Sequence, residues 1–469
     1  MLAGPVVFTA LLLVPAPATM PDGAWTVVAL AAWMALWWST EALPVPATAL
    51  LPLLVLPATG IGPLATVAPA YSHPLIFLFL GGFMVALAVQ RWNLHRRLAL
   101  AIILRIGVRP PRLIAGVMLV TGFLSMWVSN TATAMLMLPI ALSVLDEIGD
   151  DDGGLTLPLL LAIAYGASIG GLATLIGTPP NAILAAFVEE TYGLAIGFAQ
   201  WMAVALPISL VLGLLTWLIL TRLVTQRSTA AHLAARRGGP GRDVLRQHLD
   251  RLGPPRSAEK RVAAVFVTMA ILWVCRPLLS GWPPLAWLND TTIALVAGLA
   301  LFLIPSGNGR PLLVWSDTGR LPWGTLLLFG GGLALADAIV ASGLATWIGT
   351  ALNQASGWNL WLLVGLIVTI MVFATELTSN TAAAATLLPL IGALAVTAGA
   401  NPLFMMVPAA LAASAAFMLP VATPPNAIVH GSGRLSVTQM AAVGFTVNLA
   451  AILVLSLILP WLTRWIFGA

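Results

Sequence analysis

The sequence predicts an all-α polytopic membrane protein, with about eleven transmembrane helices plus two re-entrant hairpins arranged as an inverted repeat. Three observations carry this: an apolar composition, thirteen continuous apolar runs, and three motifs that each occur twice in the same order. Of the 469 residues, 60% are hydrophobic and only 8% charged, against about 25% charged in soluble globular proteins. Mean hydropathy is +0.99. These values exclude a soluble enzyme, a disordered chain and a nucleic-acid-binding protein. The pI near 10.3 reflects 21 Lys and Arg against 16 Asp and Glu. One cysteine, Cys275, excludes a disulfide framework or a thiolate metal centre.

The apolar runs lie near 3–20, 24–42, 44–60, 72–90, 113–141, 156–188, 198–221, 262–280, 289–305, 322–346, 358–391, 402–430 and 438–463. Their continuity, without period-two alternation, selects helices over barrel strands. The first run ends in Pro15-Ala16-Pro17-Ala18 but lacks a positively charged start, so it reads as a retained N-terminal helix (1–23) rather than a signal peptide.

The basic residues give the orientation. Arg91, Arg96, Arg97, Arg105, Arg109 and Arg112 share one connection. Arg222, Arg227, Arg236, Arg237, Arg242, Arg246, Arg251, Arg256, Lys260 and Arg261 share the next long one, and Arg310, Arg320 and Arg434 mark later loops. The positive-inside rule places all of these in the cytoplasm, with the N-terminus. The basic linker over 226–261 separates a first repeat (24–225) from a second (262–469). Its arginines suit topology and linking better than anionic lipid headgroups.

Self-similarity is the most informative feature. Ser125-Met126-Trp127-Val128-Ser129-Asn130-Thr131-Ala132 recurs as Thr375-Glu376-Leu377-Thr378-Ser379-Asn380-Thr381-Ala382, each followed by a Leu-Pro at Leu138-Pro139 and Leu388-Pro389. Gly177-Thr178-Pro179-Pro180-Asn181 recurs as Ala422-Thr423-Pro424-Pro425-Asn426, and Phe79-Leu80-Gly81-Gly82 as Phe329-Gly330-Gly331-Gly332. If the runs 113–141 and 358–391 are hairpins that do not cross, the basic loops all fall on one side. The halves are then inverted, an architecture of secondary transporters.

Each Ser-Asn-Thr motif sets hydroxyls and a carboxamide at membrane depth, where polar groups must be buried in protein or line a cavity. Their oxygens, with carbonyls freed where paired prolines break a helix, suit a hard cation such as Na⁺. Their hydrogens, with free N–H groups at helix N-termini, suit an oxyanion. One such motif alone reads as a hydroxyl bonded to its own helix. Two copies beside two breaks, 156–188 and 402–430, reverse that reading. The glycine pairs read as helix-packing positions.

These motifs resemble the divalent anion/Na⁺ symporter (DASS) family, dicarboxylate transporter type. Trp38-Ser39-Thr40-Glu41-Ala42-Leu43-Pro44 with Thr48-Ala49-Leu50-Leu51-Pro52 is similar to that family's opening signature. The resemblance implies a homodimer with an elevator mechanism and one Na⁺ site per half. By position the first site takes Ser125, Ser129, Asn130 and Gly177, and the second Thr375, Thr378, Asn380 and Ala422. It places substrate carboxylates on Asn130, Thr131, Thr178, Asn380, Thr381, Thr423 and Pro424. The Gly177/Ala422 difference reads as backbone-compatible.

Other polar residues take blander readings. Glu376 is a hydrogen-bonding anchor ahead of a proton carrier, and Asp337 and Glu41 are helix-end or interhelical partners. His73, His95, His232, His248 and His430 lack helical pairing, against haem or metal. Eighteen Trp beside three Tyr suggest interfacial anchors.

The expected activity is secondary-active, Na⁺-coupled transport of C4-dicarboxylates such as succinate, malate or fumarate, with about two Na⁺. A sodium-independent exchanger, or a sulfate or citrate transporter, is the alternative within the family. A passive channel would need a charge-lined pore, an enzyme a catalytic constellation, and ATP-driven transport a P-loop; the sequence offers none. The expected location is a prokaryotic inner membrane, with membrane lipids as surroundings and no nucleic-acid partner.

Overall fold

The computed structural model describes residues 1–148, 154–227, 240–351 and 359–468. Part of the expected linker, residues 228–239 with His232, Arg236 and Arg237, lies outside the described residues, as does residue 358 of the second hairpin run. The described chain is helical, apart from an isolated bridge between Pro305 and Pro311. Seven described helices are long and apolar enough to cross a membrane; others, such as Ala3–Leu13 and Asp290–Leu303, are shorter. The first helix stops at Leu13 because Pro15 and Pro17 follow it.

Several of the apolar runs resolve into paired helices. The run at 113–141 becomes Pro110–Ser125 and Asn130–Ile148, and the run at 358–391 becomes Leu360–Thr375 and Asn380–Thr397. The run at 156–188 becomes Thr156–Leu172 and Pro179–Tyr192. The run at 402–430 becomes Pro402–Ala412 and Pro424–His430, and that at 438–463 becomes Val437–Leu457 and Leu459–Phe467. Prolines open the helices at 179 and 424, where the missing N–H is an orphan in any case. Side-chain caps set other starts. The Asn401 carboxamide accepts from Leu403 N at 3.0 Å, and Ser436 and Gln439 form a capping box at the head of Val437–Leu457.

The two helices that precede the breaks form the centre. Every residue of Thr156–Leu172 is buried, as is nearly all of Pro402–Ala412, so each is apolar on all sides. Thr156–Leu172 lies against Pro110–Ser125 through Gly166 and Gly170. A Cβ at Gly170 would overlap the Gly122 backbone, the close approach that small-xxx-small spacing permits. The duplicated glycines serve packing too: Gly81 abuts the Ala294 backbone, Gly330 abuts Tyr71 and Gly331 abuts Ala49.

Several basic loops meet at one end. Arg91 pairs with Asp317, Arg261 donates to Pro305 O, and Arg434 Nη2 donates to Asp146 Oδ1 at 2.5 Å. Arg97 contacts Glu259 through Nε (2.6 Å) and Nη2 (3.2 Å) and donates to Gly253 O (2.9 Å). The helix Pro240–Arg251 packs beside it. There His248 is held below the usual histidine range by burial and by Arg96 and Arg251. In that neutral form its Nδ1 accepts from Arg96 at 3.5 Å. The Arg97 and Glu259 side chains are only 17% and 6% exposed. Removing one partner of such a pair costs about 3–5 kcal/mol. Arg97→Ala is therefore expected to lower the thermal midpoint by several degrees, read by a melting assay in detergent, with transport per folded molecule retained.

Trp38, Trp201 and Trp273 are core rather than interfacial. Each is fully buried and donates its indole N–H to a carbonyl, of Val45 (3.1 Å), Leu172 (3.0 Å) and Asp290 (2.9 Å) respectively. A buried indole needs such an acceptor.

Candidate functional site

The sequence-selected motifs occupy two kinds of place, the turn at each hairpin tip and the unwound stretch within each broken helix. Ser125 ends the first hairpin arm and Asn130 begins the second, so the turn brings their side chains into direct hydrogen-bonding contact. The Asn130 carboxamide also reaches the first break. With nitrogen inward, it donates to Ala167 O and Gly177 O, both at 3.3 Å. With oxygen inward, four oxygens converge: Ser125 Oγ, Asn130 Oδ1, Ala167 O and Gly177 O. In that orientation only the Ser125 hydroxyl donates to the carboxamide oxygen, and the two carbonyls are left free to face a cation.

The second half repeats the arrangement. Thr375 Oγ1 lies 2.5 Å from Asn380 Oδ1 and 2.8 Å from Ala413 O, with one proton to share between the two acceptors. Thr375 is fully buried and Asn380 partly so. Thus each tip offers a hydroxyl, a carboxamide and a carbonyl of the pre-break helix or its end. Hard cations favour such oxygen sets.

The breaks themselves are held by a matching pair of asparagines. Asn181 Nδ2 donates to Gly171 O (3.2 Å), Leu172 O (3.3 Å) and Thr174 O (2.8 Å). Asn426 Nδ2 donates to Ala416 O (3.3 Å) and Leu419 O (3.0 Å). Both are fully buried. Each carboxamide takes up carbonyls that the interrupted helix leaves free, a requirement in a water-poor interior. The two breaks touch across the halves, where Thr178 Oγ1 and Ser414 Oγ lie 3.0 Å apart. Contacts therefore run from one hairpin tip through both breaks to the other tip. Four helices begin at this junction, at Asn130, Pro179, Asn380 and Pro424. Their N–H ends favour negative charge.

The other selected residues are placed less centrally or differently. The Thr378 hydroxyl donates to Ala374 O of the preceding helix at 2.9 Å. Ser129 is exposed, and its Oγ accepts from Ala132 N at 3.3 Å. Thr423 caps Pro424–His430, accepting from Asn426 N at 3.4 Å. Thr381 is buried and Thr131 half-buried at the first turns of their helices. Gly177 is not interchangeable with alanine: a Cβ there would overlap the Gly171 carbonyl, whereas Ala422 carries one. Sequence reasoning missed Ala167, Ala413 and Ser414, two of which act through backbone oxygens that no side-chain pattern reveals. It also passed over Asn181 and Asn426, although their duplication was a usable signal.

Trp127, at the first tip, stacks on Phe198 and Trp273, with centroids 6.0 and 6.3 Å away. That braces the tip against Ser257–Leu279 from the second half. His73 caps Pro74–Arg91, accepting from Leu75 N at 3.3 Å.

Comparison with known proteins agrees with this architecture. The family model described as "Sodium:sulfate symporter transmembrane region" matches residues 1–468. The sodium-dependent dicarboxylate transporter SdcS of Staphylococcus saprophyticus is 43% identical, over 100% of this chain and 92% of that protein. SdcS of Staphylococcus aureus strain USA300 is also 43% identical, over 100% and 91%. Among solved structures, the Alcanivorax borkumensis YdaH transporter aligns with a TM-score of 0.61 at 16% identity, over 94% of this chain and 98% of that one. MtrF of Neisseria gonorrhoeae aligns at 0.61 with 11% identity, over 98% and 97%; at such identities the likeness is one of fold alone. With a family match along nearly its whole length, this chain belongs to the sodium:sulfate symporter family, the divalent anion/Na⁺ symporters.

Proposed function

We infer that the protein is a multi-pass membrane transporter that couples Na⁺ entry to uptake of C4-dicarboxylates such as succinate, malate or fumarate. The observation that carries this is the pair of matching oxygen clusters, Ser125–Asn130–Ala167–Gly177 and Thr375–Asn380–Ala413, on either side of the Thr178–Ser414 contact. The full-length relatives named as sodium-dependent dicarboxylate transporters support the same reading.

In this reading each cluster takes one Na⁺. Ser129 completes the first site, and Thr378 and Ala422 the second, largely through backbone carbonyls. The dianion lies between the tips. Its carboxylates meet the Asn130 and Asn380 amides, the hydroxyls of Thr131, Thr178, Thr381 and Thr423, and the N–H ends of the helices beginning at Pro179 and Pro424. Two Na⁺ neutralise the substrate's charge, so the loaded site carries no net charge into a low-dielectric environment. That ordering couples the fluxes, because a lone dianion among desolvated dipoles is costly.

The finer architecture follows. Asp146, at the far end of the first hairpin, pairs with Arg434, and Arg109 and Arg112 flank its start. Both ends thus lie on the basic side, which favours a hairpin that enters and returns. About eleven crossings then remain, with the N-terminus and the 222–261 linker cytoplasmic. Inverted repeats around a midplane site support alternating access of elevator type in a homodimer.

The test is uptake of radiolabelled succinate into proteoliposomes, with Na⁺ or choline outside and nothing inside. Accumulation with Na⁺ alone is the expected result. Uptake restored only by preloaded dicarboxylate would replace the symporter with an exchanger. Failure under every loading would move the substrate to sulfate or citrate.

A further inference from the structure

We propose that Glu376 and Asn448 are positioning residues for the second Na⁺ site, acting as a clamp that holds the unwound part of the second broken helix. This rests on the Na⁺-coupled reading above. Glu376 directly follows Thr375 and is only 3% exposed. Its Oε1 accepts from Phe417 N (2.7 Å), Met418 N (2.9 Å) and Asn448 Nδ2 (2.8 Å), and its Oε2 accepts from Leu419 N (3.0 Å). Asn448, fully buried on Val437–Leu457, also accepts from Phe417 N through Oδ1 (3.2 Å). One turn earlier, a Cβ at Gly444 would overlap the Phe417 carbonyl. Helix Val437–Leu457 thus lies directly on the break.

The need for the clamp comes from a difference between the halves. In the first, the pre-break helix continues to Leu172, leaving residues 173–178 between it and the helix that starts at Pro179. In the second, the helix stops at Ala412, leaving 413–423 outside regular helix. Three successive N–H groups, of Phe417, Met418 and Leu419, then lack helical partners and need acceptors at membrane depth. A carboxylate, acceptor only at both oxygens, satisfies all three together. At the position of Glu376, the first half has Met126. There, Thr174 Oγ1 donates to Met126 O (2.5 Å), with no carboxylate at that position. Four N–H donors converge on the two Glu376 oxygens, which ties the second tip to the break. Because Thr375 contributes to the oxygen cluster and Leu419 carbonyl is held by Asn426, the clamp fixes where Ala413 and Ala422 present their oxygens.

The experiment compares wild type, Glu376→Gln, Glu376→Asp and Asn448→Ala. It reads Na⁺-dependent thermal stabilisation of purified protein without substrate, and Na⁺ activation of succinate uptake. In Glu376→Gln an amide NH₂ must face a backbone N–H. Half-activating Na⁺ is expected to rise about tenfold or more, with a lower Hill coefficient and little change in succinate KM at saturating Na⁺. Asn448→Ala leaves the carboxylate its three backbone donors and should give a smaller shift in the same direction. Glu376→Asp should recover part of the loss. Unchanged Na⁺ dependence in folded Glu376→Gln and Asn448→Ala, whatever their melting points, would overturn the proposal. If Glu376→Gln does not fold, Asn448→Ala decides. Wild type that Na⁺ stabilises without taking up succinate would sink the dicarboxylate reading while leaving the clamp testable by stabilisation alone.

Discussion

Asn130→Ala and Asn380→Ala are each expected to abolish Na⁺-driven dicarboxylate uptake while leaving the purified protein monodisperse. Each substitution removes a group proposed to face both cargoes. The carboxamide oxygen joins the oxygen cluster, with Ser125 in one half and Thr375 in the other. The nitrogen remains to face a carboxylate. Hydrogen bonds to charged groups are worth about 1.5–3 kcal/mol each. Losing one to Na⁺ and one to substrate amounts to roughly 10²- to 10⁴-fold in uptake at limiting concentrations, at about 1.4 kcal/mol per tenfold. Thr378→Ala is the comparison, because that hydroxyl is already committed to Ala374 O. Only a few-fold change is expected there. Initial-rate uptake across an Na⁺ series checks all three, and near-normal rates in either asparagine variant would dismantle the paired-tip site.

Gly177→Ala should be nearly as damaging, whereas the reciprocal Ala422→Gly should be mild. The added methyl at 177 would collide with the Gly171 carbonyl. Backbone cannot move aside as a flexible side chain can, and Asn181 pins the same segment through Gly171 O, Leu172 O and Thr174 O. Forced overpacking costs about 1–3 kcal/mol, here directed at the carbonyl that faces Asn130. That corresponds to roughly 5- to 150-fold weaker Na⁺ activation. Ala422→Gly removes only a methyl, and the expected change is within a few-fold. Equal effects of the two substitutions would show that the halves are functionally interchangeable at this position.

The helical membrane fold was legible in the sequence because the physics behind it is one-dimensional. Apolar runs of spanning length, such as 198–221 and 262–280, need no knowledge of their neighbours to be read as helices. The split runs were less legible, because hydropathy sees no boundary where the chain turns inside an apolar stretch. Proline pairs marked the restarts at 179 and 424. Nothing comparable marked Ala412 as the end of its helix, five residues short of the position matching Leu172. Eighteen tryptophans read as an interfacial belt, yet Trp38, Trp201 and Trp273 are internal. Composition does not say which face of a helix another helix will cover.

The candidate site divides along the same line. Duplication brought out the motifs that hold Ser125, Asn130, Gly177, Thr375, Asn380 and Ala422, because a repeat is visible without coordinates, and the family resemblance singled out those residues within them. The family resemblance followed from the same doubled motifs, and the match along residues 1–468 bears it out. Tertiary structure decided which groups meet: Asn130 with Ala167 and Gly177, Thr375 with Ala413, Thr178 with Ser414, and Glu376 with Asn448 and three backbone N–H groups. These partners lie up to 236 residues apart in the chain, and several are main-chain atoms that every residue possesses. Sequence periodicity reports the local preference of a segment for helix and for lipid. Which carbonyls and amides a helix break sets free, and what then satisfies them, depends on the segments packed around it, so only the folded chain assigns them.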